Sequence, residues 1–383
     1  MTVATHTVLH RLGAKPAINA MGVYTSLGGS IIPPSVWEAM TESNQTYCEM
    51  APLMDGAGQI VADLLGAESG RVTPGASSAI ALMVAACMTG SDGAKMEQLP
   101  DAAGMPDEVL LQKRQRYIFD RMIRHPGARI VEVGDDEGAT REQLAAAIGP
   151  KTACVFYPPH MEGTPGTLSL AECIEIAHAG GVPIVVDAAY KNYPTELMGS
   201  YTAAGADLVC FSAKYYMGPN TGGFVVGRKE LVDAVAGLDF TGYETGDYRI
   251  FGRPFKLDRQ LVVGVVLGLQ EWLEMDHDAR FADYLRKVAR LREGLSGIPG
   301  IEMEPICFTM EETFVPEPVN CLKVRLLPEC GLTAAELDAR LRAGDPVIRT
   351  IPEDDFVGIV VETTSDEDVE TIIARVREAL GAA

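Results

Sequence analysis

Between residues 128 and 227, short apolar runs rich in β-branched residues alternate with stretches of helical periodicity, and few folds accept that order. The runs are 128–133, 152–157, 182–187, 207–211 and 223–227. Because they are apolar at consecutive positions, they read as strands buried on both faces. Between them, 140–148 and 168–179 repeat their apolar residues with a helical period, the second with a capping signature at Ser169 and Glu172. Strand, helix, strand in this order predicts an α/β protein, a mainly parallel sheet of the seven-stranded type with helices on both faces.

The chain has 383 residues, more than one core accommodates, since single cores stop growing at roughly 250–300 residues. The pattern changes near Leu257. Two long helical stretches, 258–275 and 280–295, are followed by an apolar segment at 301–308, a strand at 321–327, a helix at 333–342, a strand at 356–361 and a terminal helix at 365–380. This order predicts a smaller α+β domain. The expected division is an N-terminal segment 1–49 that packs with the small domain and the active site, a large α/β domain 50–256, and a small C-terminal domain 257–383. The acidic clusters Glu353-Asp-Asp and Asp366-Glu-Asp read as a solvated turn and a helix start, where carboxylates favour the positive end of the helix dipole, and no metal site is expected.

Charge and cysteines narrow the partners. With 32 basic against 53 acidic residues and a net charge of −21, the chain is expected to repel nucleic acid, whose binding depends on Lys and Arg displacing counterions. No apolar run reaches the ~20 residues of a membrane span. The first six residues show no secretion signal, and the eight cysteines, none in a C-x-x-C spacing, read as reduced core residues. A cytoplasmic protein is expected.

Three elements carry chemistry. Asp187 ends one buried strand, and Lys214 follows a later one, ahead of Tyr215-Tyr-Met-Gly-Pro-Asn-Thr-Gly-Gly. Ligands of open α/β sheets collect at the carboxyl ends of the strands, so both side chains are expected in one crevice. That is what pyridoxal phosphate requires: a lysine to form the Schiff base and a carboxylate to keep the pyridine nitrogen protonated. The third element is Val72-Thr-Pro-Gly-Ala-Ser-Ser-Ala, a small, hydroxyl-rich turn feeding a helix, suited to one phosphate. It has neither the P-loop nor the G-x-G-x-x-G pattern, which disfavours ATP and dinucleotides. Lys191 is the rival Schiff-base lysine, but it follows Asp187 closely. His160, in a loop after a strand, is a candidate general acid for a leaving group, or otherwise polar surface.

The sequence resembles the fold-type I pyridoxal-phosphate enzymes of the selenocysteine synthase (L-seryl-tRNA selenium transferase) and D-glucosaminate-6-phosphate ammonia-lyase-like family. The resemblance runs nearly end to end, through Ile18-Asn-Ala-Met-Gly-Val-Tyr-Thr-Ser-Leu-Gly-Gly-Ser, Leu65-Gly-Ala-Glu-Ser-Gly-Arg-Val-Thr-Pro-Gly-Ala-Ser-Ser-Ala, Gly104-Met-Pro-Asp-Glu-Val-Leu-Leu-Gln-Lys, Pro183-Ile-Val-Val-Asp-Ala-Ala and Phe211-Ser-Ala-Lys with its Gly-Pro-Asn-Thr loop. It implies the following roles. Lys214 carries the cofactor, Asp187 faces its ring nitrogen, Ala189 adjoins it, and Gly75, Ala76 and Ser77 form the phosphate cup. Ser212 adds a phosphate or lysine contact, and Asn220 and Thr221 reach the phosphate of a neighbouring subunit, hence a homodimer or larger homo-oligomer. Tyr24 and Thr25 of the N-terminal segment, and Arg349 after Gly344-Asp-Pro, are implied to bind substrate, the arginine by holding an α-carboxylate through two parallel bonds.

The chain departs from the family at two places. Phe211-Ser-Ala-Lys is one residue shorter than the usual motif, and Gln115 stands where the ammonia-lyase branch has a ring-stacking or acid/base histidine. Tyr117 or Phe119 is the alternative stacking aromatic, or a core residue. The charge, and the expected lack of a tRNA-binding N-terminal extension, turn the reading away from tRNA. The expected function is therefore a lyase that eliminates from a small free β-substituted or β-hydroxy amino acid. A racemase, epimerase or aminotransferase stands as the runner-up, and a cofactor-binding protein without turnover as a third reading.

Overall fold

The computed structural model describes residues 7–308 and 319–382; the first six residues, read above for a secretion signal, lie outside them. In chain order the strands are β1 (Ala17–Asn19), β2 (Ser69–Thr73), β3 (Glu108–Gln112), β4 (Arg129–Val133), β5 (Thr152–Tyr157), β6 (Ile184–Asp187), β7 (Leu208–Ser212), β8 (Gly223–Gly227), β9 (Ile301–Ile306), β10 (Cys321–Leu326), β11 (Val347–Arg349), β12 (Ile351–Pro352) and β13 (Phe356–Val360). The helices are α1 (Thr7–Arg11), α2 (Pro34–Ser43), α3 (Met50–Leu65), α4 (Gly75–Thr89), α5 (Gly93–Gln98), α6 (Arg141–Ala147), α7 (Leu170–Ala179), α8 (Thr195–Ala203), α9 (Lys229–Leu238), α10 (Phe240–Thr245), α11 (Arg259–Glu274), α12 (His277–Gly294), α13 (Ala334–Ala343) and α14 (Asp366–Ala379).

Ser30–Glu274 form one compact unit; the described residues of Met1–Gly29 and Met275–Ala383 form another. This corrects the expected boundaries at 49/50 and 256/257. The sequence pattern does change after Leu257, but α11 packs on α2 and α3. Arg259 fastens it there, donating from Nε to the Ser43 carbonyl at 2.7 Å and from a terminal nitrogen to the Asn44 carbonyl at 3.1 Å. Residues 30–49 and α11 therefore join the large unit together.

The large unit is built on a seven-stranded sheet in the order β2-β8-β7-β6-β5-β3-β4. β8 is antiparallel to both neighbours, while β7, β6, β5, β3 and β4 are parallel to one another, so β2 points the same way as they do. Every residue of β5, β6, β7 and β8 is buried, which explains their unbroken apolar sequence. Helix α4 packs against β5, β6, β7 and β8 and against α9. It is apolar all round, with Ile80, Leu82, Met83 and Val84 at most 1% exposed, so it belongs inside the core rather than on its surface. Each such side chain contributes roughly 1.5–3 kcal/mol of burial. The opposite kind of helix is α7, started by a capping box in which Ser169 and Glu172 satisfy each other's backbone N–H groups.

In the smaller unit, β12-β13-β10-β9 form an antiparallel sheet, and β1 pairs in parallel with β11. Helices α12 and α14 pack on each other. Asp366–Asp368 lie at the start of α14 behind a Ser365 capping box, where their charge opposes the dipole. All eight cysteines are free thiols. Cys154, Cys173, Cys210 and Cys321 are buried as expected of core residues; Cys48 is exposed, and Cys87, Cys307 and Cys330 are half-buried. Cys48 sits in the turn between α2 and α3, outside any apolar layer. Among the described residues no helix is long and apolar enough to cross a membrane.

Candidate active site

The carboxyl ends of β2, β7, β6, β5 and β3 share one edge of the large sheet. The register sets them side by side: Thr73 pairs with Gly223, Gly223 with Ser212, and Asp187 with Cys210. That edge gathers the residues expected to hold a phosphorylated ring.

At the β2 end, Pro74 and Gly75 turn the chain into α4. Gly75 has φ of 80°, the left-handed region that glycine enters at no steric cost. Gly223 makes the turn's neighbour fit, because a Cβ there would stand 2.6 Å from the Phe211 carbonyl and 2.9 Å from the Gly75 Cα. The loop carrying Asn220 and Thr221 thus lies against the start of α4, where backbone N–H groups and the exposed Ser77 make an anion-binding surface. Asn220 presents a buried side-chain oxygen that has no hydrogen-bond partner among the described residues.

Lys214 lies in a 3-10 turn, Ala213–Tyr216, directly after β7. Two backbone bonds close the turn: Ala213 N–H donates to the Gly222 carbonyl at 2.9 Å and Gly218 N–H to the Ala213 carbonyl at 2.8 Å. Met217 closes it with φ of 62°, the single non-glycine residue with positive φ among those described; this conformation costs roughly 1–2 kcal/mol. Strain of this kind is held in place by the surrounding structure and clusters at functional sites. Lys214 is half-buried, with Nζ 4.6 Å from the centroid of the Tyr215 ring. Burial lowers its pKa below the ordinary lysine value, which raises the fraction of free amine available as nucleophile or base.

Asp187 is 5% exposed. Its Oδ1 accepts from the Ala189 N–H at 3.2 Å and from the Cys210 thiol at 3.5 Å; its Oδ2 accepts from the Tyr117 hydroxyl. All three donors are neutral. Burial pushes the carboxyl pKa up and the hydrogen bonds pull it down, leaving it raised overall. Above it, the Tyr117 ring lies 5.4 Å from the His160 ring and 6.1 Å from the Phe119 ring, centroid to centroid. Ser212 is 7% exposed, and its N–H donates to the Ala189 carbonyl at 3.0 Å.

The structure therefore brings together Gly75, Ala76, Ser77, His160, Asp187, Ala189, Ser212, Lys214, Asn220 and Thr221 in the large unit. Gln115 is different. It is 0% exposed, donating to the Pro158 carbonyl at 3.0 Å and accepting from Gln112 at 2.9 Å. Both ends of its amide are used inside the core and it offers no face to a ligand, which corrects its assignment as a cofactor contact. Tyr117, expected as a stacking ring or a core residue, is the residue whose hydroxyl reaches Asp187. Tyr24, Thr25 and Arg349 lie in the smaller unit. Arg349 pairs with Asn19 in the β1–β11 ladder, and its buried Nε has no partner among the described residues. Burial, with Glu353 adding to it, raises the Tyr24 pKa.

A seven-stranded, mainly parallel sheet with a strand-end aspartate, a strained lysine turn and a glycine-opened phosphate cup is the design of the fold-type I pyridoxal-phosphate-dependent enzymes. Residues 115–303 match the aminotransferase class-V family. D-glucosaminate-6-phosphate ammonia lyase of Salmonella typhimurium (strain 14028s / SGSC 2262) is 30% identical, with 98% of each chain covered; a solved structure of D-glucosaminate-6-phosphate ammonia-lyase matches 98% of both chains with a TM-score of 0.86. The 5'-C-glycyluridine monooxygenase-decarboxylase of Streptomyces sp is also 30% identical, over 90% of this chain and 84% of that one. The chain belongs to the D-glucosaminate-6-phosphate ammonia-lyase-like family, is also similar to an L-seryl-tRNA(Sec) selenium transferase of Desulfovibrio desulfuricans (strain ATCC 27774 / DSM 6949 / MB), 24% identical over 96% of this chain and 82% of that one, and its cofactor is pyridoxal phosphate.

Proposed function

We propose that this enzyme is a lyase that removes ammonia from a free amino acid bearing a hydroxyl or other leaving group on Cβ, releasing a 2-oxo acid. The observation that carries the proposal is the pairing of Asp187, buried with neutral donors alone, with the half-buried Lys214 on one sheet edge, in a chain similar over its whole length to an ammonia lyase. D-glucosaminate is itself an amino acid with a hydroxyl on Cβ, so the same chemistry is proposed here.

Residues 75–77 and Ser212 would hold the cofactor phosphate, Asp187 the ring nitrogen, and Lys214 the covalent link. When bound, the cofactor supplies an electron sink that weakens the bonds at the substrate Cα. The protein does the rest. The Lys214 amine, whose pKa burial lowers, takes the Cα proton. His160, over the same edge, donates a proton to the departing Cβ hydroxyl. Loss of water and then hydrolysis of the enamine gives 2-oxo acid and ammonia, with no oxidant consumed. Arg349, whose buried Nε has no partner among the described residues, is proposed to bind the substrate carboxylate. Asn220, whose side-chain oxygen has no partner among the described residues, is proposed to serve the neighbouring copy of a homodimer. Eight free thiols suit a reducing compartment, and we infer cytosolic residence.

The test is a panel of D- and L-β-hydroxy amino acids, including D-glucosaminate 6-phosphate, assayed for 2-oxo acid, ammonia, carbon dioxide and Cα inversion. Stoichiometric 2-oxo acid and ammonia supports the proposal. Inversion without ammonia replaces it by a racemase, and carbon dioxide release by a decarboxylase.

A further inference from the structure

Asp187 has one strong donor and two weak ones. The contacts to Oδ1 are a backbone N–H at 3.2 Å and a thiol at 3.5 Å, whereas among the described residues the Tyr117 hydroxyl serves Oδ2. The turn behind Tyr117 is braced to deliver it. The Tyr117 N–H donates to Asp120 at 3.1 Å, and Asp120, 4% exposed, is paired with Arg116, which also reaches Glu132. His160 and Phe119 wall the ring on its sides.

We propose that Tyr117 is a positioning residue that keeps the Asp187 carboxylate ionised and aimed, and through it sets how firmly the enzyme holds the cofactor's ring nitrogen. The inference rests on the role of Asp187 given above and extends it to a residue seventy positions earlier. A carboxylate sealed from water favours its neutral acid form, and a neutral acid has no charge with which to hold a ring nitrogen protonated. A phenol that donates without itself ionising opposes that tendency. Burial beside a carboxylate raises the Tyr117 pKa far above the ordinary tyrosine value, so its proton stays on oxygen. The titratable groups facing the pair, among the described residues, are Cys210 from β7, held protonated by burial, His160 from the turn after β5, and Asp120 from the turn that carries Tyr117. None of them substitutes for the phenol.

The experiment measures cofactor dissociation constants by absorbance from about pH 5 to about pH 9 for the full-length enzyme, Tyr117→Phe, Asp187→Asn and the double variant. Tyr117→Phe is expected to bind pyridoxal phosphate about tenfold more weakly at neutral pH, with the acid-side loss of affinity beginning at a higher pH. In the Asp187→Asn background the same substitution is expected to change affinity less than about twofold, because Tyr117 acts through the carboxylate. Unaltered affinity and pH profile in Tyr117→Phe would overturn the inference, as would an equal loss in both backgrounds, the signature of a merely structural tyrosine. Wild-type enzyme that takes up no cofactor would instead strike the role of Asp187 itself, and this inference with it.

Discussion

Asp187 and Asp207 lie at opposite ends of neighbouring strands, both almost sealed from solvent, at 5% and 1% exposure. Asp207, just before β7, is neutralised from within the chain: Arg228 donates to Oδ1 at 2.9 Å, while His178 Nε2 at 2.9 Å and the Ile184 N–H at 2.8 Å meet Oδ2. Asp187, at the end of β6, receives among the described residues a phenol, an amide and a thiol. A buried carboxylate is tolerated when paired with a cation and costly when not. The first aspartate is therefore a staple that ties α7, β6 and the turn before α9 to β7. Under the proposed function, the second is a carboxylate whose cation would be the ring nitrogen of the cofactor.

The two sites should respond to the same substitution in opposite ways. Asp187→Asn keeps shape and loses charge, and is expected to weaken cofactor affinity by roughly 100-fold, since a hydrogen-bonded charge pair is worth about 2–5 kcal/mol where it is buried. Cofactor titration followed by absorbance reads it. Asp207→Asn is expected to leave that affinity within about twofold and to cost about 2 kcal/mol of folding stability. The figure is below the usual value for a broken buried pair because Arg228 and His178, 47% and 43% exposed, are screened by solvent and can turn outward. Urea unfolding measures it, and a drop in cofactor affinity as large as that of Asp187→Asn would erase the distinction.

Proton linkage sharpens the contrast. The Asp187 pKa is raised in the folded protein, chiefly by burial. Its contribution to stability is therefore fully present below the ordinary carboxyl pKa and is lost as pH rises through the raised folded value. The cofactor-free Asp187→Asn variant escapes that loss. Its melting temperature is expected to exceed that of the cofactor-free parent at neutral pH, and the gap to close on acidification. A lower melting temperature for the variant at pH 7 would show that Asp187, like Asp207, is already neutralised. The smallest effect concerns the cup rather than the carboxylates. Gly75→Ala would meet the Thr221 and Gly222 carbonyls at ordinary contact distances of 3.8 and 3.9 Å, so the φ of 80° carries the penalty. It should cost roughly 1–2 kcal/mol of stability, read by the same urea unfolding.

Much of this difference was written in the sequence, but unevenly. The strands from β5 to β8 announce themselves because each is apolar at nearly all consecutive positions, and the Asp187 and Lys214 positions at the ends of two of them follow from that; β4, also expected as a strand buried on both faces, carries Arg129 and Glu132 and lies partly exposed at the sheet edge. β2, which contains Gly70 and Arg71, and β3, led by Glu108, carry no such mark. Arg71 is buried in β2 only because Asp239, Thr241 and Asp55 receive its guanidinium, and those partners are remote in sequence. The contact between Tyr117 and Asp187 was illegible for a similar reason: it exists only because β3, β5 and β6 are neighbours in the sheet. Gln115 was misjudged through position alone, since alignment with a family histidine says nothing of the Gln112 amide and Pro158 carbonyl that enclose it. The domain boundary was misplaced because the change of periodicity at Leu257 marks where a long helix begins, not which surface it covers.

The central claim is that Asp187 and Lys214 on one sheet edge are the two ends of a pyridoxal-phosphate site. Its most direct measurement is the visible absorption spectrum of the protein titrated with pyridoxal phosphate, for the wild type and for Lys214→Ala. The account predicts a saturable band above about 400 nm in the wild type that borohydride abolishes and that Lys214→Ala never forms, as expected of a lysine–cofactor imine. A band of equal strength in Lys214→Ala, or a wild-type protein that stays colourless at saturating cofactor, would contradict it.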